Sequence, residues 1–388
     1  MLLLAASWLS AGELEYSGAL GVETRVFFQE PQFADQFHGV QSSIFVEPEF
    51  TWYSDDNAHQ LALTLFARGD NRDDERTHFD VREAYWLWIG DSWELTVGIN
   101  RVFWGVTESR HLVNIINQID FVENIDEEDF LGQPMVNWTL LQDFGTFEFF
   151  VLTGFRERTF PGPDGRLRGP FPVDDSNAIY ESGAEQRHVD YAVRYSHFIG
   201  DWDIGLSYFY GTGREPTLIA DESGNNFQWF YELIHQGSID VQYTREAWLW
   251  KFEGLVREGQ GDTFLASVAG FEYTFYQVFK SMSDVGIIAE YLYDGRDEVE
   301  APITLFQNDL FVGARWAFND PQDASVLTGA ILDLDDGTTS LRIEAERRLG
   351  DHYKAEFELQ WFAYTDDENI ASNFADDSFL ALSLTRYY

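Results

Sequence analysis

Lys354-Ala355-Glu356-Phe357-Glu358-Leu359-Gln360-Trp361-Phe362-Ala363 is the stretch that decides the fold. Ala355, Phe357, Leu359, Trp361 and Ala363 occupy every second position, and Lys354, Glu356, Glu358 and Gln360 lie between them. A period of two puts the two sets on opposite faces of an extended strand. The same alternation runs through Leu14, Tyr16, Gly18, Leu20 and Val22, and again through Ile44, Val46, Pro48, Phe50 and Trp52. It recurs in Leu61, Leu63, Leu65 and Ala67, and in Leu341, Ile343 and Ala345. A soluble sandwich has this period as well. Two features favour a membrane β-barrel. Several strands run to about ten alternating residues, the length a tilted strand needs to cross the hydrocarbon layer. Aromatics also sit at the ends of the apolar face (Trp52, Tyr53, Tyr85, Trp93, Trp202, Tyr208, Trp248, Trp316, Trp361), as in the girdles of such barrels.

Connections alternate in length. Tight turns fall at 55–57, 90–92, 143–145, 200–201, 245–246, 280–284, 319–324 and 350–351. Longer polar segments cover 29–41, 69–77, 104–133, 158–188, 214–236 and 366–377. Short turns at one rim and long loops at the other are the asymmetry of an up-and-down barrel. The expected fold is therefore all-β: a single antiparallel transmembrane barrel of about 18 strands, with 16 as the fallback, over residues 12–388. The apolar run Met1 to Ala11 reads as the remnant of a signal peptide without its basic start.

Composition narrows the function. Net charge is −42, from 67 acidic against 25 basic residues, so nucleic acid is repelled and is not an expected partner. With no cysteine there is neither a disulfide framework nor a thiolate metal site. The eight histidines show no metal-ligand spacing, and neither a Gly-x-Ser-x-Gly nor a phosphate loop occurs, so no enzyme activity is expected.

The connection after Trp93-Glu94-Leu95-Thr96-Val97-Gly98-Ile99-Asn100 is the longest. Leu112, Ile115, Ile116 and Ile119 have the spacing of one helical face, which predicts a short helix packed on the inner wall. Residues 104–133 are read as a constriction loop folded into the lumen, its candidate selectivity charges being Glu108, Arg110, Asp120, Glu123, Asp126, Glu127, Glu128 and Asp129. If the apolar faces meet lipid, the ionic faces line water. Lumen-facing charges are then Arg68, Arg82, Arg194, Lys251, Arg257, Arg315, Arg342, Glu290, Glu344, Glu356 and Glu358. For each, the competing role is pairing with a neighbour to stiffen the wall. Clustered carboxylates also suit Ca2+, although no EF-hand spacing occurs and no cofactor is needed for diffusion.

Asp80-Val-Arg-Glu-Ala-Tyr-Trp-Leu-Trp88, a turn, and Val97-Gly-Ile-Asn-Arg-Val-Phe-Trp-Gly105 resemble a hairpin of Gram-negative porin-like families, including phosphate-selective-type porins and alginate-export-type channels. Arg82, Glu83, Ala84, Tyr85, Gly98, Arg101, Trp104 and Gly105 are the matching positions. The last strand, Phe379 to Tyr388, resembles the C-terminal signal strand of outer-membrane proteins, with Arg386 departing from its apolar pattern. The resemblance implies an outer-membrane channel in contact with lipid and lipopolysaccharide, passing small hydrophilic solutes as a monomer or homo-trimer. The excess of acid argues against anionic cargo and for cations or neutral molecules. The alternatives are a substrate-specific oligosaccharide or polysaccharide channel and a soluble acidic all-β carbohydrate-binding or hydrolase domain.

Overall fold

The computed structural model describes residues 12–170, 178–220 and 227–388, so the signal-peptide expectation at 1–11 lies outside the described residues. The strands in chain order are β1 (Glu13–Phe27), β2 (Val40–Tyr53), β3 (His59–Asp70), β4 (His78–Ile89), β5 (Trp93–Asn100), β6 (Gln133–Gln142) and β7 (Gly145–Thr153). They continue with β8 (Ile179–Tyr180), β9 (Val189–Ile199), β10 (Trp202–Thr212), β11 (Thr217–Ala220), β12 (Phe227–Tyr231), β13 (Leu233–Arg245) and β14 (Trp248–Glu258). The last seven are β15 (Phe264–Phe275), β16 (Asp284–Asp294), β17 (Asn308–Ala317), β18 (Ser325–Asp333), β19 (Thr339–Leu349), β20 (Tyr353–Tyr364) and β21 (Phe379–Tyr387). β8, β11 and β12 make a small separate sheet within the long loops, and the other 18 form one antiparallel sheet. β1 pairs with β2 on one side and with β21 on the other, so the sheet closes on itself. The expected strand count holds.

Alternation sets which face turns outward. On β1, Leu14 and Tyr16 are 63% and 73% exposed, whereas Arg25 and Phe27 on the opposite face are buried inside. Ile44, Phe50, Val312, Leu341, Trp361, Leu382 and Leu384 are likewise exposed outside. The apolar faces therefore form the exterior, as in a barrel embedded in lipid, which overturns the sandwich alternative. At the short-turn rim the aromatics pair in edge-to-face and tilted contacts: Trp88 with Trp93 (4.9 Å between ring centroids), Trp202 with Tyr243 (4.4 Å) and Trp248 with Tyr273 (4.6 Å). Rings with one dry and one wet end settle at that boundary.

Both rims follow the expected asymmetry. All eight short turns occur where the sequence places them, and 101–132 and 154–188 are the two longest connections at the far rim. Three far-rim connections that the sequence does not mark as loops, 259–263, 295–307 and 334–338, complete the count.

The short helix expected in the lumen loop does not form; 101–132 is irregular, with bends, turns and one isolated bridge between Ile119 and Phe130. The reason is local competition for the backbone. Asn117 Oδ1 accepts from Val102 N (2.8 Å), and Asn114 Oδ1 accepts from Trp104 N (2.7 Å) and Gly105 N (3.1 Å). Within 112–119 itself, Val113 N donates to Glu253, Ile116 O accepts from Arg214 and Gln118 O accepts from Leu131 N, so partners outside the segment hold it in an irregular path. Leu112, Ile115 and Ile116 are still buried against the wall, but as part of an irregular chain.

Candidate functional site

The loop enters the lumen after β5 and is seated on two carboxylates of the opposite wall. Glu253 on β14 accepts from Val106 N (2.6 Å), Thr107 N (3.0 Å), Thr107 Oγ1 (2.7 Å) and Val113 N (3.1 Å). Glu290 on β16 accepts from Glu108 N (2.8 Å), Ser109 N (2.8 Å) and Ser109 Oγ (2.6 Å). Both acids are essentially inaccessible to solvent, at 0% and 1% exposure. Hydrogen bonds to a charged acceptor contribute about 1.5–3 kcal/mol each. An apolar seat supports the polar one: Trp104, Val113, Ile115 and Ile116 pack on Met135, Phe150, Leu152, Phe209 and Ile234 of the wall.

Beyond this seat the loop crosses to the β1–β4 side. Asp120 is fully buried and meets Arg82 Nη1 at 2.7 Å and Thr159 Oγ1 at 2.7 Å. Glu123 takes Arg68 in a fork, Nε at 2.9 Å and Nη2 at 2.6 Å, while its carbonyl accepts from Arg25 Nη2 at 2.8 Å. Arg214, from the connection after β10, donates to Ile116 O at 3.2 and 3.0 Å. Of the eight candidate loop charges, Asp120 and Glu123 therefore act as clasps to the wall. Glu108, Arg110, Asp126, Glu127 and Glu128 line the remaining space, and Asp129 follows them in the chain without joining that lining.

That space is a slot of about 190 Å³ between the loop and the wall strands β17–β20. Its carboxylates are Glu108, Asp126, Glu127, Glu128, Asp309, Asp333, Glu344 and Glu358; its guanidiniums are Arg110 and Arg342, with His111 alongside. Ile119, Ile125, Phe130, Phe306, Phe311, Leu327, Ile331 and Phe362 supply an apolar part. Arg342 lies among three acids: Asp126 at 2.5 Å, Glu358 at 3.4 Å, and Glu344 in direct contact. Asp126, Glu344 and Glu358 bring one oxygen each within 4.8 Å of one another, a spacing a hard cation could use. The guanidinium already contacts all three, so an ion there would have to displace it. Enclosure by the barrel, followed by the fields of Asp126 and Glu123, pushes the Asp129 carboxyl up to about 7. Enclosure and Asp126 likewise raise Glu128.

The other wall charges are mostly paired. Arg194 holds Asp240 in a fork (2.7 and 2.8 Å) beneath the Trp104 ring. Arg257 meets Glu215 at 2.5 Å, Arg315 meets Glu108 at 2.6 Å, Lys251 reaches Glu108 at 3.5 Å, and Glu356 pairs with Lys354 at 2.8 Å. Structural pairing accounts for most of these side chains, while Arg342, Glu344 and Glu358 face the slot.

Sequence reasoning missed two polar clusters in the far-rim loops. Glu215 gathers Arg257, Arg296 (3.1 Å) and Arg110 (3.4 Å); burial opposes its charge, but the three guanidiniums hold its carboxyl well below the usual range. Arg166 bonds Asp377 at 2.5 Å beside Phe27, Leu167, Phe374 and Phe379, tying the connection after β7 to the one after β20. Their members lie up to 211 residues apart, and no local pattern joins them.

No protein-family model and no curated protein matches the sequence. Among solved structures, the chain is similar to Wzi of Escherichia coli, described as an outer-membrane protein involved in group 1 capsule assembly and a carbohydrate-binding β-barrel. That pair shares 9% identity over all of this chain and 86% of Wzi, with a TM-score of 0.55. It is also similar to a BenF-like porin of Pseudomonas fluorescens, at 8% identity over 98% of this chain and 99% of that one, with a TM-score of 0.55. The closed 18-stranded barrel, apolar outside and ionic within, has the fold of outer-membrane β-barrels of the porin kind.

Proposed function

We propose that this chain is a passive channel for small hydrophilic solutes in the outer membrane of a Gram-negative bacterium. Its path runs through the slot between loop 104–133 and β17–β20, and it favours cations and neutral molecules over anions. The observation that carries this reading is the imbalance of the slot lining, eight carboxylates against two guanidiniums. Carboxylates lining a narrow, low-dielectric bore attract cations and repel anions. Passage requires no chemistry and no cofactor, so no residue is given a catalytic role. Lipid and lipopolysaccharide are the partners expected outside the wall, with monomer and homo-trimer both compatible with an apolar exterior.

Reversal potentials in planar bilayers under a salt gradient test the reading. A potential of the sign for cation permeation is expected, and a clear anion potential would overturn it. The carbohydrate binding stated for Wzi motivates a second reading, an oligosaccharide path. Interruption of the ionic current by a linear oligosaccharide, without any effect of salt composition on selectivity, would favour that one.

A further inference from the structure

Around the lumen loop the far rim is filled on one side and open on the other. Residues 155–169 leave β7, pass over the loop and reach the connections after β1, β3 and β20 as a strap. Thr159 Oγ1 donates to Asp120 of the loop (2.7 Å), Gly162 N donates to Asp73 (3.1 Å), Asp164 O accepts from Phe37 N (2.8 Å), and Arg166 bonds Asp377. Beneath the strap, the space left between Arg25, Phe27, Arg76, Val122 and Leu167 is about 10 Å³. A single water needs at least about 10–15 Å³, so that sector is closed to solutes. Over β14–β16 the rim is occupied by the buried side chains of Arg257, Arg296 and the loop's Arg110, drawn together on Glu215.

The open side lies above β17–β20. A chamber of about 430 Å³ sits there among the connections 295–307, 334–338 and 365–378, with Ile303 and Ile370 in its wall. Leu305, Asp333 and Asn369 line both this chamber and the slot beneath it, so they form the neck between the two. Two of the three are held by hydrogen bonds. Asn369 Nδ2 donates to Asp333 (3.1 Å) and to Asp336 (2.8 Å), which fixes the connection after β20 to the one after β18. Leu305 is placed differently. Among the described residues no hydrogen bond crosses from 297–306 to 365–378, and its half-buried side chain packs on the cluster of Phe27, Leu167, Phe374 and Phe379. Apolar contact is non-directional, so this side chain can change the width of the neck without breaking a hydrogen bond.

We infer that the outer entrance of the channel lies off the barrel axis, above β17–β20, and that Leu305 sets its width. The inference rests on the channel reading above and names the residue that limits the size of solute admitted to the slot. The strap and the Glu215 cluster close the other sectors, and the chamber funnels solutes onto the one neck residue that no hydrogen bond fixes.

The chain has no cysteine, so a thiol introduced by substitution is unique. Single-channel currents of the full chain in planar bilayers are read before and after N-ethylmaleimide, an uncharged reagent, is added on the far-rim side, with labelling followed by mass. Leu305→Cys is expected to lose about half of its current or more on labelling. Ile303→Cys, in the wall of the wider chamber and 53% exposed, is expected to label and to lose less. Ala34→Cys, exposed on the strap side of the rim, is expected to label with no loss. Leu305→Ala is expected to pass more current than the unsubstituted chain. A Leu305→Cys chain that does not label, one that labels without loss, or a loss at Ala34→Cys as large as at Leu305→Cys would overturn the inference. Should Leu305→Cys fail to fold, Ile303→Cys against Ala34→Cys decides, and equal responses overturn it. The unsubstituted chain decides the channel separately. Its failure to pass current removes channel and entrance together, whereas current that survives labelling at position 305 removes the entrance alone.

Discussion

Removing the two carboxylates that seat the loop should widen the channel without unfolding the barrel. Glu253→Ala strips the acceptor from three buried backbone amides and one hydroxyl, and Glu290→Ala strips it from two amides and one hydroxyl. At the low end of about 1.5 kcal/mol per charged hydrogen bond, Glu253→Ala alone costs the seated state on the order of 6 kcal/mol. Water entering the lumen would recover part of that, and the clasps at Asp120 and Glu123 would still hold the far half of the loop. The expected change is therefore local, a release of residues 105–116. Single-channel conductance of the double variant should rise roughly twofold or more. Hydrogen exchange should quicken in 105–116 and stay slow in the wall strands. Glu253→Gln keeps one neutral acceptor oxygen, so its effect should be smaller. Unchanged conductance together with unchanged exchange in 105–116 would refute the claim that these acids hold the loop.

Three further outcomes follow from the same geometry. Arg82→Ala leaves Asp120 buried without its 2.7 Å partner, a loss of about 3–5 kcal/mol for a broken buried pair; the loop tip should become sensitive to added protease while the barrel keeps its heat-modifiable migration in SDS gels. Because the Asp129 carboxyl is held up to about 7, it is neutral below that pH and charged above it. Cation preference should therefore climb between about pH 6 and 8, and Asp129→Asn should flatten that climb in reversal-potential titrations. Gly329→Val would force a Cβ against the Phe311 ring and fill the slot, so single-channel current should fall while folding yield on urea dilution changes little.

Much of the fold was legible because a barrel wall writes its two environments directly into alternate residues. Leu14, Tyr16, Leu20 and Val22 show it in one strand, and the connection lengths supplied the strand count. The loop after β5 was legible as an insertion into the lumen but not in its conformation. The spacing was right for the burial of Leu112, Ile115 and Ile116, yet Asn114 and Asn117 tie the segment to residues 100–105 and 131 in an irregular path. Glu290 was recognisable as an inward acid, but its role as an acceptor for Glu108 N depends on a partner 182 residues away. The same holds for Asp120 and Glu123, which read as free loop charges until the wall arginines are placed opposite them. Alternation reports which side a residue faces. It says nothing about which residue waits across the bore.

The seat on β14 and β16 also bears on the order in which the molecule is made. The fastened segment is synthesised well before β14 and β16, so until those strands are in place its polar seat is missing. Contacts spanning this much chain form late. The seating of 105–116 across the bore is therefore completed only once β14 and β16 have joined the wall, which makes that narrowing one of the later events of biogenesis.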